Sequence, residues 1–175
     1  MTSNRGPGGT DLPVDTIAAV STAPGVGAVA VVRVSGAAAF DVLRTLVAGL
    51  EALPPPRTAT LVTIRDPRDG EVVDRVLATC FPAPSSYTGE DVVELSGHGG
   101  WLTPAMLLEA CVAAGARRAE RGEFTRRAYL TGKMDLIQAE AVADVVEGRN
   151  RALHRAALYQ LERGLSARIA ELRER

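Results

Sequence analysis

The sequence predicts an α+β fold: a mixed sheet of about five or six strands with two helices packed on it, then a C-terminal helical extension. Three observations carry this. Val-rich or alternating runs of strand length come early, punctuated by Gly, Asp and Pro. Two apolar-periodic stretches of helical length interrupt them. From Asp135 onward the period is helical and no proline breaks it. At 175 residues the chain has room for one ordinary domain and an appended element.

Residues 1–14, MTSNRGPGGTDLPV, lack an apolar run and read as a disordered leader. DTIAAVST from Asp15 and AVAVVRVS from Ala28 read as two strands joined by the glycine turn APGVG. Phe40, Leu43, Val47 and Leu50 then recur at helical spacing, which predicts a helix over about 37–49, closed by Gly49 and Pro54–Pro56. TATLVTIR and EVVDRVLATCF flank the turn DPRDG and predict an antiparallel pair, and DVVELSG reads as a further strand. Thr103 and Pro104 form an N-cap and N1 signature for a helix over 104–114, which stops at Gly115. A short basic segment leads to Asp135, which forms with Gln138 a capping-box start. If unbroken, the extension from there would be roughly 60 Å long at 1.5 Å per residue. Gly148 and Gly164 are the places where it can break. Its apolar stripe calls for a covering surface that this chain does not supply, as in a fragment of a longer protein or half of an oligomer.

The net charge of −1 argues against indiscriminate coating of nucleic acid, but residues 1–116 carry −5 and 117–133 carry +4. The basic surplus of the last third is either a solvated helix face or a patch for an anionic partner. Cys80 and Cys111 lie in apolar stretches, so a disulfide framework or a zinc site is not expected; reduced thiols and a cytoplasmic home are. No apolar run reaches the ~18 residues of a membrane span.

Two motifs fail on context. Gly25 to Ala30 fits G-x-G-x-x-A, but that fingerprint needs a helix to start there, and a Val-rich strand starts instead. His98-Gly99-Gly100 has the look of an esterase oxyanion loop, yet no G-x-S-x-G accompanies it. Three charged residues stand out more. Lys133 is the single Lys beside 19 Arg, as if a compact ammonium were needed there. Arg33 and Glu94 each place a charge inside an apolar strand. They are either a cross-strand salt bridge or the lining of a ligand cavity in which the carboxylate accepts from amines and the cation holds anionic groups.

Three blocks, DTIAAVSTAPGVGAVAVVRVSG, SYTGEDVVELSGHGG and RGEFTRRAYLTGKMDLIQAEAVADVVEG, occur in an order and spacing that resemble the N-terminal part of the tRNA-modification GTPase family MnmE (TrmE), over about residues 15–175. The resemblance implies a tetrahydrofolate-binding and dimerisation domain over 15–133, similar to the folate domain of glycine-cleavage T-proteins, and the start of a helical domain over 134–175. It implies a homodimer and 5-formyl- or 5,10-methylene-tetrahydrofolate as cofactor, with GTP, Mg and K confined to a G domain. It further implies an FAD-dependent GidA-type partner, and addition of a carboxymethylaminomethyl-type group to C5 of the wobble uridine 34 of tRNA. The family's folate-site residues fall on Arg33, Glu94 and Lys133. No catalytic or metal-ligating residue is implied.

This chain departs from the family pattern at Val26, Arg121 and Arg126, which puts local turn shape and charge in question. No G-x-x-x-x-G-K-[ST] loop occurs within it, so GTP hydrolysis by these residues alone is not expected. Two other functions compete: a stand-alone folate-dependent one-carbon transferase of the T-protein type, and a dimerisation scaffold without ligand.

Overall fold

The structure, a computed structural model, describes residues 15–162. Of these, 15–124 form one compact unit and 125–162 belong to a second. The first is built on a six-stranded sheet of β1 (Ile17–Val20), β2 (Val29–Ser35), β3 (Thr60–Arg65), β4 (Val72–Phe81), β5 (Val92–His98) and β6 (Arg117–Arg118), in the order β3-β4-β5-β2-β1-β6. All pairings are antiparallel except β1 with β6. The expected α+β class and mixed sheet are thus present.

Two helices, α1 (Ala39–Leu46) and α2 (Leu102–Ala113), cover one face. Alternation decides which residues they bury. Val32 and Val34 of β2, Val76 and Ala78 of β4, and Val93 and Leu95 of β5 point into a core completed by Leu43, Leu46, Leu107 and Cys111. Burial pushes the Cys111 thiol up to about 12, so it packs as a small apolar group. The residues between them face the other way, where Val29, Leu61 and Leu77 remain exposed.

Both helix ends differ from expectation. α1 starts at Ala39 rather than near 37, because residues 36–38 form a turn in which the Ala38 N–H donates to Thr16 Oγ1 at 3.0 Å. That turn demands Gly36: its φ is +135°, and a Cβ would lie 2.7 Å from the carbonyl oxygen of Asp15 and the Cα of Thr16. In α2 the N-cap is Trp101, not Thr103, and no side chain caps it. Pro104 still falls in the first turn, where its missing N–H costs nothing.

β6 was not expected from the sequence. Its two arginines lie in the segment that reads as merely basic, and they become a strand through long-range pairing. The Arg117 N–H donates to Thr16 O and the Ala119 N–H to Ala18 O, both at 2.9 Å. A helix α3 (Glu123–Leu130) was also missed. It begins where the side chain of Glu123, fully buried, accepts two bonds from Arg117 at 2.6 and 2.9 Å.

In the second unit the extension is broken at Gly148 into α4 (Leu136–Glu147) and α5 (Arg151–Leu161), which pack on each other. The break falls at the first of the two glycines where one was expected, and part of the apolar stripe covers itself: Ala141 and Ala157 are buried. Gly164 lies outside the described residues. The capping box at Asp135 and Gln138 is present in both directions. α5 has its own cap, Asn150, whose Oδ1 accepts from the N–H groups of Ala152 and Leu153. Asn150→Ala is expected to cost about 1 kcal/mol of α5 stability. Faster amide exchange at Ala152 and Leu153, with sheet amides unchanged, is the readout.

Candidate functional site

Arg33 and Glu94 are direct partners across the central β2–β5 pair. Thr79 flanks Glu94 on β4, and Ala19 flanks Arg33 on β1. Both charges point to the face away from α1 and α2. Arg33 donates from Nε at 2.9 Å and from Nη2 at 2.7 Å, and both bonds go to the same oxygen, Glu94 Oε1. Among the described residues Oε2 of Glu94 accepts no hydrogen bond. The side chains are 23% and 28% exposed, so the pair is half-buried and still reachable.

Two aromatic rings hold the guanidinium. Its central carbon lies 5.1 Å from the centroid of Tyr87 and 5.5 Å from that of Phe124. Each ring is anchored by buried polar contacts. The loop carrying Tyr87 is tied to β2 through Ser35 Oγ, which is 2.7 Å from Thr88 Oγ1 and donates to Glu90 Oε2 at 2.7 Å. Ser35 and Thr88 are fully buried. Phe124 follows Glu123, the carboxylate clamped by Arg117, and that contact raises the Arg117 guanidinium further above its ordinary range. Sequence reasoning missed Tyr87 and Phe124. A signal existed, since the chain has only three Tyr, three Phe and one Trp, and two of them flank the one charge buried in β2.

Lys133, the third candidate, lies in the second unit, in the turn between α3 and α4. It is exposed, and its backbone N–H donates to Ala128 O at 2.8 Å. The structure thus brings Arg33 and Glu94 into contact and puts Lys133 on a separate turn. The glycine turn at Gly25 leads into β2, not into a helix, as its sequence context required.

His98 ends β5. Its N–H donates to Asp74 Oδ2 at 2.8 Å, and its Nδ1 lies 2.7 Å from Asp74 Oδ1. Asp74 is buried and also accepts from the Arg75 N–H. Gly97 makes room for it, since a Cβ there would lie 2.5 Å from Asp74 Oδ2. Burial pushes the Asp74 carboxyl up, but the bonds from His98 and Arg75 outweigh this and hold it below its ordinary value. A folded-state value beneath the unfolded one means a stabilisation that is complete above the unfolded Asp range near ~3.9 and is lost as pH falls through the folded value. Asp74→Asn is therefore expected to flatten the acid limb of the stability curve below about pH 4, read from urea midpoints across pH.

A groove of about 610 Å³ lies between the glycine turn and the start of α2, lined by Val26, Trp101 and Leu108 among others. It includes neither Arg33 nor Glu94. Its single charged side chain, Arg118, is already paired with Glu109. The convergent polar chemistry lies at the Arg33–Glu94 pair.

Comparison with known proteins identifies a family. The family described as GTP-binding protein TrmE N-terminus matches residues 16–133. The chain is 51% identical over 162 residues to the tRNA modification GTPase MnmE of Azoarcus sp. (strain BH72), covering 93% of this chain and 35% of that protein. It is 50% identical over 164 residues to the MnmE of Akkermansia muciniphila, with 93% and 36% covered. With the MnmE of Neisseria meningitidis serogroup B (strain MC58) it shares 48% over 161 residues, covering 92% and 35%. The chain thus spans about a third of the length of these relatives. The family match spans β1, the Arg33–Glu94 rung and the turn of Lys133, and on it the chain belongs to the family of the TrmE N-terminus.

Proposed function

We propose that this chain is the reduced-folate-binding and dimer-forming N-terminal part of a tRNA-modification GTPase. The observation that carries the reading is the unsaturated ion pair: Arg33 spends two donors on Oε1 of Glu94, leaving Oε2 open beneath an aromatic shelf. A pterin ring presents a ring N–H beside an amino group. These two parallel donors match the two oxygens of a carboxylate, of which Oε2 is free and Oε1 would be shared with Arg33. Arg33 keeps Nη1 for the ring carbonyl, and Tyr87 and Phe124 offer π-faces to a flat heterocycle. Lys133 is assigned to the same ligand by the family resemblance. When bound, 5-formyl- or 5,10-methylene-tetrahydrofolate supplies a one-carbon unit. The residues of this chain bind and orient it.

The second part of the proposal is the homodimer. The sheet face opposite α1 and α2 leaves Val29, Leu61 and Leu77 at 60%, 56% and 45% exposure, an apolar surface suited to a second copy. In the whole protein this region would act in the cytoplasm with a GidA-type partner on C5 of the wobble uridine of tRNA, and GTP, Mg and K would bind in the G domain. Calorimetric titration of the 175-residue chain with 5-formyl-tetrahydrofolate is the direct test. Saturable binding is expected, and its absence from a folded sample would overturn the folate reading.

A further inference from the structure

The basic surplus of the last third of the chain is not distributed evenly. Residues 117–133 carry +4, but the fold engages most of that charge internally. Arg117 holds Glu123 and Asp15, Arg118 holds Glu109, and Arg126 and Arg127 also have partners. At the turn between α4 and α5 the charge is left over. Arg149, Arg151 and Arg155 are all exposed, and none makes a side-chain hydrogen bond or ion pair among the described residues. With His154 they line a cleft of about 340 Å³, whose remaining lining is Gly148 and Asn150. Asp144 and Glu147, at the end of α4, line a neighbouring groove instead.

Local electrostatics oppose this arrangement. Arg151 and Arg155 stand at i and i+4 on one face of α5, a like-charge pair that weakens a helix. Arg151 is also the first residue of α5, at the positive end of the helix dipole, where a carboxylate stabilises and a cation does the reverse. The helix end is not itself the binding feature, because the N–H groups of Ala152 and Leu153 are taken by Asn150 Oδ1. What the turn offers is three guanidinium forks around one cleft, and among the described residues no anion offsets their mutual repulsion.

We propose that Arg149, Arg151 and Arg155 form a contact site for the phosphate backbone of tRNA. The proposal rests on the tRNA-modification reading and adds to it a place where this chain meets the RNA. A guanidinium matches two phosphate oxygens with two parallel N–H groups. Arg151 and Arg155 lie about 6 Å apart along the helix axis, a step comparable to that between neighbouring phosphates of one strand. Arg149 extends the row beyond the helix start, and His154 adds a ring N–H donor in the same cleft. A row of forks suits a polymer of regularly spaced phosphates. Such contacts fix the orientation of an RNA without reading its bases.

The test is fluorescence anisotropy of labelled, unfractionated tRNA with the 175-residue chain over a range of salt. Arg149→Gln, Arg151→Gln and Arg155→Gln are each expected to weaken binding several-fold and to lower the slope of log K against log salt by about 1. Arg75→Gln and Arg121→Gln, at exposed arginines without a partner among the described residues, should change neither. Arg151→Glu separates binding from folding: it should slow amide exchange in α5, because the helix dipole favours an acid there, while weakening tRNA binding more than Arg151→Gln does. Calorimetric binding of 5-formyl-tetrahydrofolate should be unaffected in every variant. Wild-type tRNA binding that the three variants leave unchanged would overturn the site and leave the tRNA-modification reading standing. So would equal losses in the Arg75 and Arg121 controls, or loss of binding to phosphatidylglycerol vesicles with tRNA binding intact. A wild type that takes up the folate but no tRNA would overturn the site alone, and one that binds neither would remove it together with the reading beneath it.

Discussion

Glu94→Gln is expected to weaken 5-formyl-tetrahydrofolate binding by roughly 100-fold or more while the fold survives. Two charge-assisted bonds from parallel N–H donors are together worth on the order of 3 kcal/mol, which is about 100-fold in affinity. The amide retains one oxygen but replaces the other with an NH2 group, so one ligand donor meets a donor. The fold should tolerate the change because the side chain is 28% exposed and Arg33 keeps its contacts with Tyr87 and Phe124. A melting temperature within a few degrees of wild type, together with lost calorimetric heat, is the expected pair of results. Unchanged affinity would show that Glu94 serves the sheet as an ordinary cross-strand ion pair and that the ligand, if any, is read elsewhere.

Gly36→Ala is expected to cause the largest loss of stability from a single methyl group. Two penalties coincide at this position. Backbone at φ +135° is strained for any L side chain, at about 1–3 kcal/mol. The new Cβ would also lie 2.7 Å from the backbone of Asp15 and Thr16, which cannot rotate away as a side-chain tip can. A total of about 3 kcal/mol or more corresponds to a fall in melting temperature of roughly 10 °C for a chain of this size. Gly49→Ala isolates the first penalty, because Gly49 has φ +71° but open space where the Cβ would be. If Gly36→Ala costs no more than Gly49→Ala, the close approach of residue 36 to the first strand is not what holds that corner. Since Gly36 follows Ser35, whose hydroxyl anchors the Tyr87 loop, the same variant should also weaken ligand binding.

The elements that were legible in the sequence are those whose pattern is local. β2 through β5 declare themselves by Val-rich or alternating runs between Gly and Asp turns, and α4 by its capping box. β6 carries no such pattern: Arg117 and Arg118 are a strand only because β1 offers free carbonyls alongside. α3 is concealed because its start is fixed by the carboxylate of Glu123, buried under Arg117 six residues earlier, a contact that no periodicity announces. At the site, Arg33 and Glu94 were visible because charge inside an apolar strand is costly and so conspicuous. Tyr87 and Phe124 were not, because an aromatic residue in a loop or at the start of a short helix looks the same whether it meets solvent or a guanidinium. The role of Asp74 was equally hidden, since a single Asp in a β-strand discloses nothing until Gly97 and His98 are seen beside it.

Arg33 and Glu94 are 61 residues apart in the chain, and Asp15 meets Arg117 across 102. The hairpin of β3 and β4 and its continuation into β5 close short loops and form early, whereas joining β2 to β5 must first overcome the closure entropy of the whole intervening segment. The binding pair is therefore assembled by one of the least local events in folding. A chain still emerging from the ribosome holds Arg33 without its carboxylate until β5 has been made, and ligand capture becomes a reporter of the last steps of sheet closure.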